Sequence, residues 1–283
     1  MTPSVFIAIV VFGVFVGFAM GFFGIGGGVF IVPTLVRLAG LAWEEAIGLS
    51  LTMMVPTGAI GAWNRARHGE VDYRLGLTVF LGSIPGAWIG RNVVALLGSA
   101  APVQLGSVRI DLLDTGLTIS FVGFLLWMSS RIGKEAPAAT ISPNADNSGK
   151  SAAPPGDYRA APAAEALALG VAVGAASAMM GVGGAFLFIP IAIQRFGLPV
   201  TLVAGTSLFQ LPLTAAVGAF FYGTSVDLPY IWLIPLLAGS TVGVTYGVRV
   251  SRRFSNDRLR LILGRVLMIV AALLTLSWLS GLR

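Results

Sequence analysis

The sequence predicts an all-α integral membrane protein. It reads as an inverted-topology tandem repeat with about five helical segments per repeat, eight to ten transmembrane segments in all, and Gly-broken helix hairpins at the repeat interface. Three observations predict this. The first is composition: 56% of the 283 residues are hydrophobic, only 11% are charged, and the mean hydropathy is +0.88. A soluble domain of this length carries roughly a quarter charged residues, so the solvent of this chain is lipid. The second is self-similarity. Shifted by 157 positions, Gly17 meets Gly174, Gly24 meets Gly181, Gly26 meets Gly183, Gly27 meets Gly184 and Pro33 meets Pro190. The register persists through Gly48-x-Ser50 on Gly205-x-Ser207, Gly61 on Gly218, Gly82-Ser83 on Gly239-Ser240, and Gly86 and Gly90 on Gly243 and Gly247. The third is the distribution of Arg and Lys, which differs between the copies.

The elements follow in order. A spanning helix needs ~20 mostly apolar residues. The chain offers Val5 to Phe23, Ile47 to Trp63, Leu75 to Ile89, Leu112 to Met128, Ala163 to Met180, Leu202 to Phe221, Tyr230 to Val248 and Leu259 to Leu279. Two runs, Val29 to Leu38 and Ala185 to Ile193, are too short to cross upright at about 1.5 Å per residue. Segments A to E of each copy are thus the run before the glycines, the short run after them, and three further helices. The N-terminal "MTPSVFIAIVVFG" lacks a basic leader region and reads as a retained helix rather than a signal peptide. Residues 1–131 form the first transmembrane repeat and 163–283 the second, inverted one. Between them, 132–162 is rich in Ala, Pro, Ser and Asp without apolar period, a flexible cytoplasmic linker.

Cytoplasmic loops collect Lys and Arg. The C–D loop of copy one carries Arg65, Arg67 and Arg74, whereas that of copy two, "YGTSVDLPY", carries none. The D–E loop of copy two instead carries Arg249, Arg252, Arg253, Arg258 and Arg260. Placing these loops inside also places the linker residues Arg131, Lys134, Lys150 and Arg159 inside, with Arg195. Thirteen of the 18 basic residues then share one side, and Arg37, Arg91, Arg109 and Arg283 fall outside. Both termini are expected on the outer side of the membrane. Arg265 lies within the last helix, about 10 Å from the basic interface at ~1.5 Å per residue; snorkelling is the alternative to a functional role.

Absences exclude chemistry. With no cysteine, disulfides, thiolate metal sites and thiol relays are ruled out. Glu44, Glu45, Asp111, Asp114, Asp227 and Asp257 flank spans, so no carboxylate proton relay or carboxylate sodium site is visible. The net charge of +6 is accounted for by topology signals, not nucleic acid. Neither a cofactor nor a metal is expected. An enzyme would need a nucleophile–base pair in the bilayer, and the sole histidine, His68, sits in a loop.

The stretch "GFFGIGGGVFIVP", Gly21 to Pro33, is the candidate site. It lacks the Lys-Ser/Thr of a phosphate loop, and the third glycine of a dinucleotide fingerprint is replaced by Val29. Five glycines within Gly21 to Gly28 break a helix, at ~1 kcal/mol each relative to alanine. Broken backbone in lipid is tolerated only where protein buries it or a wet cavity solvates it, so the breaks are expected to face each other. Helix B then starts at Gly28 and its twin at Ala185, with free N–H groups pointing at the break. Two such ends make an anion site without a charged side chain; tight helix packing is the alternative reading. The expected substrate-binding residues are Gly24, Gly26, Gly27, Gly28, Ser50, Thr52, Gly181, Gly183, Gly184, Ser207 and Gln210. The Ser, Thr and Gln side chains offer donors to oxyanion oxygens, unless they bond their own helix backbone. Pro33, Pro56, Pro190 and Pro212 are the expected breaks and kinks. Asn64, Arg65 and His68, with Arg91 and Arg249, are the candidate gate or vestibule residues; the alternatives are a loop that only sets topology for the first three and snorkelling for the two arginines.

"GFFGIGGGVFIVPTL" and "AMMGVGGAFLFIPIA" together resemble the two halves of the sulfite exporter family named for TauE and SafE. The likeness covers nearly the whole chain outside the linker and departs at Ala185, where the family pattern has glycine; it implies that Pro33 and Pro190 end the short helices. It implies a secondary transporter, an exporter, of small sulfur-containing anions such as sulfite, sulfoacetate or other organosulfonates across the cytoplasmic membrane. The expected partners are that anion and the lipid bilayer, with no nucleic acid and room for a homo-oligomer. The alternatives are a membrane scaffold or assembly subunit, and a permease for another small organic anion.

Overall fold

The computed structural model describes residues 3–24, 26–99, 103–105, 108–110, 112–134, 162–251, 253 and 256–281. Among them are ten α-helices: α1 Pro3–Phe23, α2 Gly28–Leu38, α3 Trp43–Ala66, α4 Tyr73–Ser99, α5 Leu112–Lys134, α6 Ala163–Met180, α7 Ala185–Phe196, α8 Val200–Gly223, α9 Leu233–Ser251 and α10 Asn256–Gly281. A 3-10 turn, Tyr230–Trp232, leads into α9. Six of the described helical stretches are long and apolar enough to cross a membrane: Phe6–Phe23, Trp43–Ala66, Tyr73–Ser99, Ala163–Met180, Thr201–Gly223 and Tyr230–Ser251. Shorter apolar stretches lie at Gly28–Arg37, Leu113–Trp127, Ala185–Phe196 and Gly264–Leu276. The outward faces carry large apolar side chains such as Leu96, Phe220, Ile234 and Leu276, each more than 60% exposed. Such faces need lipid, not water, around them. The chain is a multi-pass helical membrane protein.

Helix ends follow the local sequence. Glu45 accepts the Ala42 backbone N–H at 2.9 Å and starts α3. Gly181, with φ +66°, closes α6 by donating its N–H to Ser177 O at 2.8 Å. Gly24, with φ +73°, closes α1 in the same way on Met20 O at 2.9 Å.

The fold is helical, as the sequence predicts, with one short addition: β1 Val103–Leu105 pairs antiparallel with β2 Val108–Ile110, between α4 and α5. The valine-bearing triplets around Gly106-Ser107 carry an ordinary hairpin signal. One expectation needs correction: Pro33 and Pro190 do not end the short helices. Each is the sixth residue of its helix, and α2 and α7 run on to Leu38 and Phe196. The sixth position lies just past the first-turn N–H groups that lack partners, so each proline removes a single i to i−4 bond and the helix runs on. The expected linker lies mostly outside the described residues, with α5 reaching Lys134.

The 157-residue shift lays Trp43–Ala66 on Val200–Gly223, end to end, and the start of α2 on that of α7. The helix packing is reciprocal between the halves. α1 packs most extensively on α9, and α4 on α6. In both pairs the chains run parallel. Gly13, Gly17 and Gly21 meet Leu236, Ser240 and Val244 in turn, and Gly82, Gly86 and Gly90 meet Leu167, Val171 and Ala175. At the centre α3 crosses α8 antiparallel, with Gly48 on Tyr222, Leu51 on Gly218, Gly58 on Leu211 and Gly61 on Leu208. α5 pairs with α10 and joins the core through Leu117, Phe121 and Leu125.

Candidate functional site

The two glycine breaks meet. A Cβ on Gly26 would strike the Val182 carbonyl oxygen, and one on Gly28 the Gly181 carbonyl oxygen. Met54, from α3, lies against both Gly26 and Gly183. Only glycine lets two backbones cross at such range. The short helices begin from this crossing: Phe30 and Ile31 both donate to Gly27 O, and Leu187 and Phe188 both donate to Gly184 O. Gly27 and Gly184 are therefore the N-cap residues, with the first-turn N–H groups of α2 and α7 directed back at the crossing.

Ser50 and Ser207 hold the crossing across the halves. Ser50 Oγ donates to Gly181 O at 2.7 Å, and Ser207 Oγ donates to Gly24 O at 3.1 Å. Donors and acceptors are both related by the 157-residue shift, and both serines are fully buried. Their protons are thus committed to the breaks; their lone pairs are not. Thr52 differs: it is half-buried and donates to Gly48 O of its own helix at 2.8 Å.

A second buried polar layer was not singled out from the sequence. Thr57 meets Ser240 at 2.9 Å, and Ser83 meets Thr214 at 2.9 Å. These pairs are again related by the shift, and each joins helix C of one half to helix D of the other. The signal was present in the recurring Gly82-Ser83 and Gly239-Ser240, which were read only as register markers. Symmetry fails at Gln210, whose counterpart is Met53. Gln210 is fully buried, and its Oε1 accepts from Thr214 at 2.9 Å. Among the described residues its Nε2 has no hydrogen-bond partner, and neither has Ser177 Oγ. On α8, Gln210 stands between Ser207, bonded to Gly24, and Leu211, which touches Gly183.

The prolines separate. Pro33 and Pro190 are buried, Pro212 is buried beside Gly58, and Pro56 faces outward on a stripe with Ala59 and Trp63. The gate candidates separate too. Arg65 is only 4% exposed. It pairs with Glu70 at 3.1 Å and donates to Ser251 Oγ at 3.1 Å and Gly21 O at 3.4 Å. Asn64 is half-buried, and its carbonyl sits 2.8 Å from Nδ1 of exposed His68. Arg91 is half-buried on α4. Arg249 is exposed over the Tyr246 ring, 5.8 Å from its centroid, and Arg265 is exposed on α10. Among the described residues no group of His, Cys, Asp and Glu could hold a metal.

A family model described as "Sulfite exporter TauE/SafE" matches residues 9–274. The probable membrane transporter protein YunE of Bacillus subtilis is 26% identical over 272 residues, covering 94% of this chain and 95% of its own. A probable membrane transporter protein of Methanocaldococcus jannaschii is 22% identical over 92% of this chain and 91% of its own. One from Xylella fastidiosa is 36% identical over 114 residues, 40% of this chain and 41% of its own. No solved structure matches. The names are those of membrane transporters rather than enzymes, and the family match spans the helices, both breaks and the crossing between them. The chain belongs to the TauE/SafE sulfite exporter family.

Proposed function

We propose that the protein is a secondary transporter that exports small sulfur-containing oxyanions, such as sulfite, sulfoacetate or other organosulfonates, across a bacterial-type inner membrane. The crossing of the two glycine breaks carries this reading. Two short helices start there, and first-turn N–H groups with the positive ends of helix dipoles favour an oxyanion without a fixed cation. The buried Gln210 Nε2, without a partner, adds a donor on the helix that touches both breaks. An unpaired buried amide is costly and calls for an acceptor.

The parallel pairs α1–α9 and α4–α6 and the antiparallel α3–α8 pair are what an inverted repeat produces, and they support alternating access around a fixed centre. With the 67–72 loop and the linker in the cytoplasm, both termini lie outside.

The test is efflux of sulfite, sulfoacetate and methanesulfonate from proteoliposomes holding the purified protein, with and without an imposed pH gradient. The expected result is saturable flux that discriminates among these anions. Flux no greater than from empty liposomes, with folded protein present, overturns the reading. Survival of ordinary flux in Gly26→Leu or Gly183→Leu would show that the glycines only pack helices.

A further inference from the structure

Arg65 and Tyr222 share no chemistry that would align them, yet they stand 157 positions apart and do the same thing. Each lies in the last turns of helix C of its half, and Tyr222 is only 1% exposed. Tyr222 Oη donates to Ala178 O at 2.7 Å, as Arg65 Nη2 does to Gly21 O at 3.4 Å. Gly21 and Ala178 are themselves 157 apart, each in the last turn before its break. Both breaks are thus clamped from behind by one side chain of the helix C belonging to the same half.

The covers over the two clamps differ. At the Arg65 end, the 67–72 loop lies on the start of α8. The Glu70 carbonyl rests where a Gly205 Cβ would be, and the Asp72 N–H donates to Thr206 Oγ1 at 2.9 Å. Ala204, the next residue, touches Gly24. The loop therefore covers the approach to the first break, and the Arg65–Glu70 pair ties it down. At the Tyr222 end the equivalent place, Gly48, is covered by the Leu228 side chain, 2.6 Å from where a Cβ would sit. The neighbouring Ile47 touches Gly181. One cover is ionic; the other is apolar.

We infer that Arg65 and Tyr222 latch two gates, and that Arg65 is the receiving site for the anion: an arriving oxyanion replaces the Glu70 carboxylate on its guanidinium and so releases the 67–72 loop. A guanidinium binds carboxylate, sulfonate and sulfite oxygens through the same charge-assisted donors. Tyr222 carries no charge to retain an anion, so its side is the releasing one. This rests on the central crossing being an anion path, and it names the residue that admits the substrate.

The chain contains no cysteine, so one introduced thiol gives an unambiguous probe. Ala204→Cys reports the approach from the Arg65 side and Ile47→Cys that from the Tyr222 side, each labelled in nanodiscs with a water-soluble maleimide. Glu70→Gln should raise labelling of the Ala204→Cys protein about tenfold or more and leave Ile47→Cys unchanged. Tyr222→Phe should do the reverse. In the otherwise native background, methanesulfonate should raise Ala204→Cys labelling. That response should weaken in Arg65→Lys and vanish in Arg65→Gln, with size-exclusion profiles unaltered. Unchanged labelling in Glu70→Gln and Tyr222→Phe, or a methanesulfonate response that persists in Arg65→Gln, overturns the inference. Should flux of sulfur anions be absent while Glu70→Gln still opens the Ala204 side, the latch stands and the substrate reading falls.

Discussion

At the scale of residues, the crossing makes Ser50 and Ser207 structural before they are anything else. Each donates a buried hydroxyl to a glycine carbonyl of the opposite half. Removing the hydroxyl leaves that carbonyl unpaired, which costs more than the bond contributes when both partners are solvated. Ser50→Ala and Ser207→Ala should each lower stability by about 1 kcal/mol. The double variant should lose about twice that or more, because both bonds hold one crossing. Thermal unfolding in detergent without substrate reads this directly; unchanged melting with a raised KM would make the serines substrate contacts alone. Gln210 should behave in the opposite way. Its Nε2 is buried without a partner among the described residues, and Met53, at the same place in the other half, is fully buried and apolar. Gln210→Met should therefore melt higher than the parent by about 1 kcal/mol or more, while its KM for the transported anion rises about tenfold. A structural role for the amide would give lower melting and an unaltered KM.

At the scale of elements, the long helices are held by glycine faces rather than by side-chain interdigitation. α4 approaches α6 so closely that a Cβ on Gly86 would strike the Val171 carbonyl, and α1 meets α9 in the same manner at Gly17 and Ser240. In lipid this is the expected driving force, since apolar side chains gain little by leaving tails for protein. Gly86→Leu should force the pair apart and cost about 3 kcal/mol, at the upper end of overpacking in a core. Gly123, on α5, has nothing among the described residues within 4 Å of its absent side chain, so Gly123→Ala should be neutral or stabilise by up to ~1 kcal/mol. The melting temperatures of the two variants, measured side by side, test whether glycine contacts or glycine content matter. These elements were largely legible in the sequence, because a broken helix and a close helix pair both demand glycine and so mark themselves. What stayed hidden was the partner of each glycine. A repeat offset says which residues are equivalent, not which ones touch. Thus Gly26 could be placed opposite a second break, but its contact with Val182 could not be named. The hairpin Val103–Leu105 with Val108–Ile110 was passed over because its triplets are too short to compete with the apolar runs on either side.

At the scale of the whole molecule, the halves are not domains. The principal partners of α1 and α6 are α9 and α4, each in the opposite half, and the central pair α3–α8 joins both. A half on its own would expose the glycine faces of α1 and α4, the broken backbone at 24–28, and the Ser50 hydroxyl that has its acceptor at Gly181. In lipid those exposed polar groups have no water to satisfy them. The sequence sets the two breaks against each other, but it does not say that the long helices too find their main partners in the opposite half. Reciprocity is a property of three-dimensional pairing, and it is also what aligned Arg65 with Tyr222 across unlike side chains. A consequence is that the covalent link between the halves should be dispensable while the halves are not. Residues 1–134 and 162–283, produced together as separate chains, should assemble one to one, with an affinity tag on either half recovering both. Each half produced alone should be degraded or aggregate. If either half alone gave a monodisperse species with native helicity, the cross-half packing would contribute little. The reading of one shared crossing between the two breaks would then have to give way to two independent sites.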